Sequence, residues 1–232
     1  MTCFIKPSVK SLIHPTNSEE LALKLYGHKH DGSYVLASKL LTNTSAVYSY
    51  GIGSNVRFDL DLAANYDFPI YQYDHTIADT PVKNNKFIFK KEPLSSANLI
   101  KHLKENEHLG RNDLLLKIDT EGAEYELIAN IDLNVLNHFN QIAIEIHNIK
   151  DFDVKCINLF TSLFTFHTLV HLHGNNYGPL IYGLPVTLEL TLVRHDLIPR
   201  DARLSNNSVP VTELDTPNDS KKDDYELDWW LH

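Results

Sequence analysis

Leu114–Glu124 reads L-L-L-K-I-D-T-E-G-A-E, and the fold of the chain turns on how this stretch is read. An apolar run broken only by Lys117 meets Asp119 and then a Thr-Glu-Gly turn. A short apolar stretch bounded by a glycine turn reads as a buried strand. Behind it, Ala123, Leu127, Ile128 and Ile131 share one face of a helix. Glu121 and Glu124 stand where acids offset the helix dipole. Strand, tight turn and helix make half of a βαβ unit. Asp119 therefore falls at the carboxyl end of its strand, the edge where open α/β sheets bind ligands. Glu121, which precedes the helix at that edge, is also open to a role in holding a cofactor's amino group or a substrate.

The second informative stretch is Ala46–Asn55, A-V-Y-S-Y-G-I-G-S-N. Its β-branched and aromatic run ends in Gly51-Ile52-Gly53, which lets the backbone turn tightly and approach a cofactor. Val56 to Ala63 fits either a strand or a helix. The helix is preferred, because a further parallel strand, Ile70–Asp74, needs a crossover. Asp74 lies about twenty residues beyond the glycines, the spacing at which an acid takes a ribose hydroxyl pair. Lys86–Lys90, Leu114–Asp119, Gln141–His147, Thr168–His173 and Val186–Arg194 continue the strands to seven, the last pair without a helix between them. The expected fold class is α/β, a seven-stranded, mostly parallel sheet with one antiparallel member and helices on both faces.

Three helices are marked by their caps or periodicity. Thr16 and Glu19 have the spacing of a capping box before Leu21 and Leu25, with Gly27 as the stop. Ser95 or Ser96 caps a helix through Leu99, Ile100 and Leu103, closed by Gly110. Val154, Ile157, Phe160 and Phe164 stripe a helix over Asp153–Phe166. Residues 1–40 are thus expected to be a helical N-terminal extension, residues 41–200 the ligand-binding domain and residues 201–232 an acidic, polar arm. From Asp201 the chain is proline-punctuated and without periodicity, so the arm either hugs the surface or is disordered. Trp229 and Trp230 suggest that its end docks on something.

A chain of 232 residues with 43% hydrophobic content supports one domain with a real core. A formal charge of -9 argues against a nucleic-acid partner. Cys3 and Cys156 offer neither a disulfide framework nor a paired-cysteine metal motif, which fits a reducing cytoplasm. The opening M-T-C-F-I-K-P is too short and polar for a signal peptide, and no apolar run approaches a membrane span. Nothing in the sequence sets an oligomeric state.

Alternation places Lys117 and Asp119 on one face of their strand, and Glu145 and His147 on one face of the next. With the strands in register, Lys117 would meet Glu145 as a structural ion pair, and Asp119 would meet His147 at the binding edge. A histidine beside an aspartate is a general-base arrangement. His173, entering the loop Gly174-Asn175-Asn176-Tyr177-Gly178, is a second candidate, with a plain turn as the alternative. Asp119, His147 and His173 together offer a hard oxygen and two imidazoles to a divalent metal ion.

The segments Y-S-Y-G-I-G-S-N, Y-Q-Y-D-H-T, L-L-L-K-I-D-T-E-G-A-E-Y-E and A-I-E-I-H together resemble the FkbM-type family of S-adenosylmethionine-dependent methyltransferases, over roughly Asp31 to Asp196. The resemblance implies a class I methyltransferase sheet and O-methylation of hydroxyls on small molecules or sugars, often in natural-product or surface-polysaccharide pathways. It places Gly51 and Gly53 against the methionine part of S-adenosylmethionine, Asp74 on the ribose, His75 and Glu92 beside the adenine, and Asp119 near the sulfonium. His147 supported by Asp119 is then the proton acceptor, with His173 second; a divalent metal would make the histidines ligands instead. Ser54 and Asn55 stand where many methyltransferases have a third glycine. Two rivals remain. A nicotinamide-dependent oxidoreductase shares the glycine loop and strand-end acid, but Val56 occupies the place of its third glycine. A catalytically silent nucleotide- or partner-binding module would keep the sheet and use the arm.

Overall fold

Each apolar run picked out above becomes a strand. The computed structural model describes residues 14–149 and 153–228. Its strands are β1 (Thr16–Asn17), β2 (Leu23–Tyr26), β3 (Tyr34–Ala37), β4 (Ala46–Tyr50), β5 (Ile70–Tyr73), β6 (Phe87–Lys90) and β7 (Leu114–Ile118). They continue as β8 (Phe139–Ile146), β9 (His167–Gly174), β10 (Leu180–Ile181), β11 (Leu184–Pro185), β12 (Leu188–Arg194) and β13 (Arg203–Leu204). Seven of them form one sheet in the order β6-β5-β4-β7-β8-β12-β9. The first five run parallel, and β12 is antiparallel to both its neighbours. From β4 the chain winds outward to β6, then returns to build the other half from β7. The carboxyl ends of β4 and β7 therefore flank the switch point where such sheets hold ligands. This is the fold class expected from the sequence.

One face carries the helices Ser96–Glu105, Ala123–Asn130 and Val154–Leu163. Ser95 caps the first by accepting from Asn98 N–H at 3.1 Å, and Asp153 caps the third by accepting from Cys156 N–H at 2.8 Å. Leu99, Leu127 and Phe160 from these helices pack with Tyr48, Leu116 and Ile144 of the strands. Their burial is the main stabilising term on this face. The first helix ends at Glu105 with Asn106 as its C-cap, so Gly110 does not close it.

The opposite face is covered differently. The helix Arg57–Asn65, which settles the ambiguity after Val56, covers part of it. The β2–β3 hairpin covers more of it, with Tyr34, Leu36, Phe58 and Leu62 packed on Val47, Leu115 and Ala143. Hydrogen bonds pin the hairpin across the sheet: Ala37 N–H donates to Gln141 Oε1 at 3.0 Å, and the Thr191 hydroxyl donates to the Val35 carbonyl.

The hairpin corrects the helical extension expected over residues 1–40. Ser18, not Thr16, caps a single 3-10 turn, Glu19–Leu21. Ala22 then turns left-handed at φ 49°, and Leu23–Tyr26 extend as a strand. Leu23 and Leu25 stand two apart, and that strand period prevails over the helical spacing of Leu21 and Leu25. Helix in this region is limited among the described residues to that turn and Ser38–Leu41.

The C-terminal arm hugs the fold. β13 pairs with β1, and Val209 and Leu227 are buried. Asp215 meets His171 at 3.0 Å, and Asp224 meets His173 at 3.0 Å. His30 donates its backbone N–H to the Thr216 hydroxyl at 2.9 Å. Cys3 and the expected docking of Trp229 and Trp230 lie outside the described residues. Among the described residues, no helix is long and apolar enough to cross a membrane.

Candidate active site

A cleft of about 440 Å³ opens at the switch point, within the range of small-molecule and cofactor pockets. The glycine loop forms its floor. Gly51 sits at φ +72°, and a Cβ there would come within 1.6 Å of the Asp119 carbonyl oxygen. The close approach of β4 and β7 thus requires glycine. Gly53, at φ +50°, has nothing within 4 Å of the corresponding position, so that side of the loop is open.

Asp74, at the end of β5, ties the loop down. Its Oδ2 accepts the Gly53 N–H at 2.8 Å, and its Oδ1 accepts the N–H and hydroxyl of Thr76 at 2.7 and 2.6 Å. Burial alone would raise its pKa, but the Thr76 hydroxyl and the Gly53 and Thr76 N–H groups hold the carboxyl below the usual range. A carboxylate has about four acceptor positions. Three are used here, which leaves room for a hydroxyl donor from the cleft.

The far wall is His75, Thr76, Glu92, Pro93 and Leu94. Glu92 Oε2 takes Lys101 at 2.6 Å and His102 at 2.9 Å, and these two, in that order, hold its carboxyl at about 2. His102 stacks on Tyr73 with ring centroids 3.9 Å apart, making that wall rigid. Gly51, Gly53, Asp74, His75, Glu92, Asp119 and Glu121 all line one cleft. Distant segments thus bring together every position named for the cofactor.

At the other end of the cleft stands Asp119. The register of β7 and β8 sets Lys117 opposite Ala143, two residues from the pairing expected with Glu145. Lys117 instead donates to the Gly51 carbonyl at 2.9 Å and meets Asp119 Oδ2 at 3.4 Å. The Tyr34 hydroxyl donates to Asp119 Oδ2 at 2.9 Å and reaches Glu145 Oε2 at 3.5 Å. Burial first, then the charges of Asp119 and Glu145, push the Tyr34 phenol well above its ordinary pKa, so it remains a donor.

His147 lies behind Asp119 with its Nε2 3.7 Å from Asp119 Oδ1, the neighbour expected for it. It stands outside the cleft lining, and three further carboxylates surround it: Glu124 at 3.2 Å, Glu145 at 3.5 Å and Glu121 at 3.6 Å. Burial opposes charge on the ring. The Glu124 hydrogen bond and the charges of Glu145, Glu124 and Asp119 overcome that and hold it at about 9. Glu145 is pushed the other way, well above the usual carboxylate range, by burial and by Asp119 and Glu189.

His173 is not part of this group. β12 lies between β8 and β9, so His173 stands two strands away, about 10 Å in a sheet. Its Nδ1 meets Glu189 at 2.9 Å and its Nε2 meets Asp224 at 3.0 Å. The metal-ligand set Asp119–His147–His173 expected from sequence is therefore corrected: Glu145 takes the third place beside Asp119 and His147. Sequence reasoning also missed Tyr34 and Glu124. Glu124 is fully buried, and its Oε1 accepts the Thr120 N–H at 3.1 Å as well as facing His147 Nδ1. No local signal marks Glu124, because an acid in a first helical turn is already explained by the helix dipole, and its burial is visible only in the fold.

Residues 32–177 match the Methyltransferase FkbM domain, which is more than half of the chain. No curated protein matches it. Among solved structures, the Methanococcus jannaschii fibrillarin pre-rRNA processing protein is 9% identical at a TM-score of 0.43, over 66% of this chain and 68% of that one. A mutant of the Catenulisporales acidiphilia 16S rRNA (adenine(1408)-N(1))-methyltransferase is 11% identical at a TM-score of 0.35, over 77% and 99%. Likenesses this distant say nothing about the methyl acceptor.

Proposed function

The chain belongs to the FkbM methyltransferase family, and from that premise we propose that it transfers a methyl group from S-adenosylmethionine to a hydroxyl of a small molecule, sugar or phosphorylated alcohol. One observation carries the reading: a cofactor-sized cleft runs from the ribose-type acid Asp74, past the open Gly53, to Asp119. S-adenosylmethionine, when bound, supplies a methyl group already activated on a positively charged sulfur.

The residues present suit that group. Asp74 offers its remaining acceptor position to a ribose hydroxyl, and Tyr73, His75 and Glu92 wall the adenine side. Asp119 and Glu121 bring negative charge to the sulfonium end. Lys117, bonded to the Gly51 carbonyl, fixes the loop against β7. Much of the remaining work is alignment of an acceptor oxygen with the methyl carbon. As that oxygen–carbon bond forms and the sulfur–carbon bond breaks, the hydroxyl loses its proton. We assign its reception to Asp119, which lines the cleft, with the charged ring of His147, oriented by Glu124, standing behind that carboxylate. The hydroxyl acceptor is supported by the acidic cleft and by the charge of -9, which favours a small partner over a polyanionic one. A cytoplasmic setting and a role in polysaccharide or natural-product synthesis are part of the same proposal.

The test is incubation with methyl-labelled S-adenosylmethionine and a panel of sugar nucleotides, phosphorylated alcohols and other hydroxylated small molecules, with a structured RNA alongside. Label in a methyl ether, with S-adenosylhomocysteine formed in equal amount, is the expected result. Label in the RNA alone would overturn the acceptor assignment.

A further inference from the structure

We propose that Asp119 Oδ1, Glu145 Oε1 and His147 Nε2 form a binding site for a divalent first-row metal cation. The three atoms belong to a group whose ligand atoms all lie within 4.8 Å of one another. His147 is 7% exposed and Glu145 6% exposed. Nε2 stands 3.5 Å from Glu145 Oε1 and 3.7 Å from Asp119 Oδ1, at or beyond hydrogen-bond reach. Ligands about 2.1 Å from a shared cation stand roughly 3 to 3.5 Å apart. The two distances from Nε2 are thus loose for hydrogen bonds but within a few tenths of an ångström of ligand spacings around a shared cation.

The groups behind these atoms are arranged as supports. His147 Nδ1 meets Glu124 Oε1 at 3.2 Å, and a carboxylate on the second ring nitrogen is the usual partner of a metal-bound imidazole. A cation bound at Nε2 would displace the proton that the ring carries there and leave the other on Nδ1, facing Glu124. Tyr34 binds Asp119 through Oδ2 at 2.9 Å and approaches Glu145 through Oε2, leaving Oδ1 and Oε1 turned toward the ring. Asn175 Nδ2 donates to Glu145 Oε1 at 2.8 Å. Lys117 also takes Oδ2 of Asp119, so its charge sits on the side away from the proposed ion. Asp119 and Glu121 line the cleft, which gives a cation its way in.

Two carboxylates and one imidazole suit manganese, with magnesium a weaker fit because of the nitrogen ligand. Three protein ligands leave positions open toward the cleft. A metal-held acceptor hydroxyl there would deprotonate more easily. This role rests on the proposed O-methyl transfer, whereas the binding site itself does not.

The test uses the full chain stripped with a chelator and titrated with Mn²⁺ alone, without S-adenosylmethionine or acceptor. Calorimetry is expected to show one site, weakened about tenfold or more by Glu145→Gln and also by Glu124→Gln. Unaltered affinity in folded Glu145→Gln, or no binding by the wild type up to millimolar Mn²⁺, would overturn the proposal. Should the variants fail to fold, histidine ring NMR of the wild type decides. Selective paramagnetic broadening of His147 supports the site; uniform broadening of all the histidines, or broadening that spares His147, sinks it. A failure to bind S-adenosylhomocysteine would instead count against the methyltransferase reading.

Discussion

Two clusters of histidine and carboxylate share one face of the sheet and do opposite things. Around His147, four carboxylates crowd a ring of which only Nδ1 has a close partner, at 3.2 Å. Around His173, two carboxylates meet the two ring nitrogens at 2.9 and 3.0 Å, and one of them, Asp224, belongs to the C-terminal arm. The residue types are the same. One cluster is saturated and closed, so it clamps the arm; the other adjoins an open cleft and has ligand atoms to spare. The chemical potential of such a group lies in its unsatisfied atoms rather than in its composition.

The largest expected effect lies on the cleft side. Gly51→Ala adds a methyl group into the Asp119 carbonyl at a positive φ, and should cost more than about 4 kcal/mol of stability in denaturant titration. A smaller loss would show that β4 and β7 can separate at no great cost. Next comes the contrast between the two histidines. His147→Ala should keep affinity for S-adenosylmethionine and lower turnover about 100-fold or more. His173→Ala should leave turnover of the folded protein unchanged, yet cost about 3 kcal/mol by leaving Glu189 and Asp224 without their partner. Reversed outcomes would exchange the roles of the two clusters.

A third imidazole sharpens the comparison through pH. His167 on β9 is held at about 4, chiefly by burial, against the Phe139 carbonyl that accepts from its Nε2 at 3.0 Å. Its folded pKa lies below the unfolded value, so its contribution is present above pH ~6.5 and is lost as pH falls toward 4, by about 3 kcal/mol at most. For His173 the sign is opposite. Burial works against its charge, but Asp224 and Glu189 raise its pKa well above the ordinary value. Its contribution is therefore full below pH ~6.5 and is lost as pH rises through the folded pKa. The stability gap between wild type and His167→Gln should narrow as pH falls below ~6.5, and the gap for His173→Ala should narrow as pH rises above it. Parallel curves would contradict both assignments.

The sequence carried the strands of the main sheet because each is a local signal: an apolar run such as Leu114–Ile118, with a glycine or acid at its end. The cofactor wall was legible for the same reason, since Gly51, Gly53 and Asp74 occupy fixed places relative to their own strands. Register and strand order are not local. Level strand ends would pair Lys117 with Glu145, but β8 begins at Phe139 and sets Ala143 opposite Lys117. Nothing near His173 in the sequence announces that β12 inserts between its strand and that of His147. Tyr34 reaches Asp119 across 85 positions of chain, through a hairpin whose leucine spacing also fits a helix.

The smallest expected effect bears most directly on the central claim, that the cleft running from Asp74 past Gly53 to Asp119 holds the methyl donor. Calorimetric titration of S-adenosylhomocysteine into the wild type and into Asp74→Asn reads it. The account predicts one site, weakened about tenfold by the loss of a charged hydrogen-bond acceptor, with no comparable binding of NAD. Equal affinity in the two proteins, or binding of NAD in place of S-adenosylhomocysteine, would contradict it.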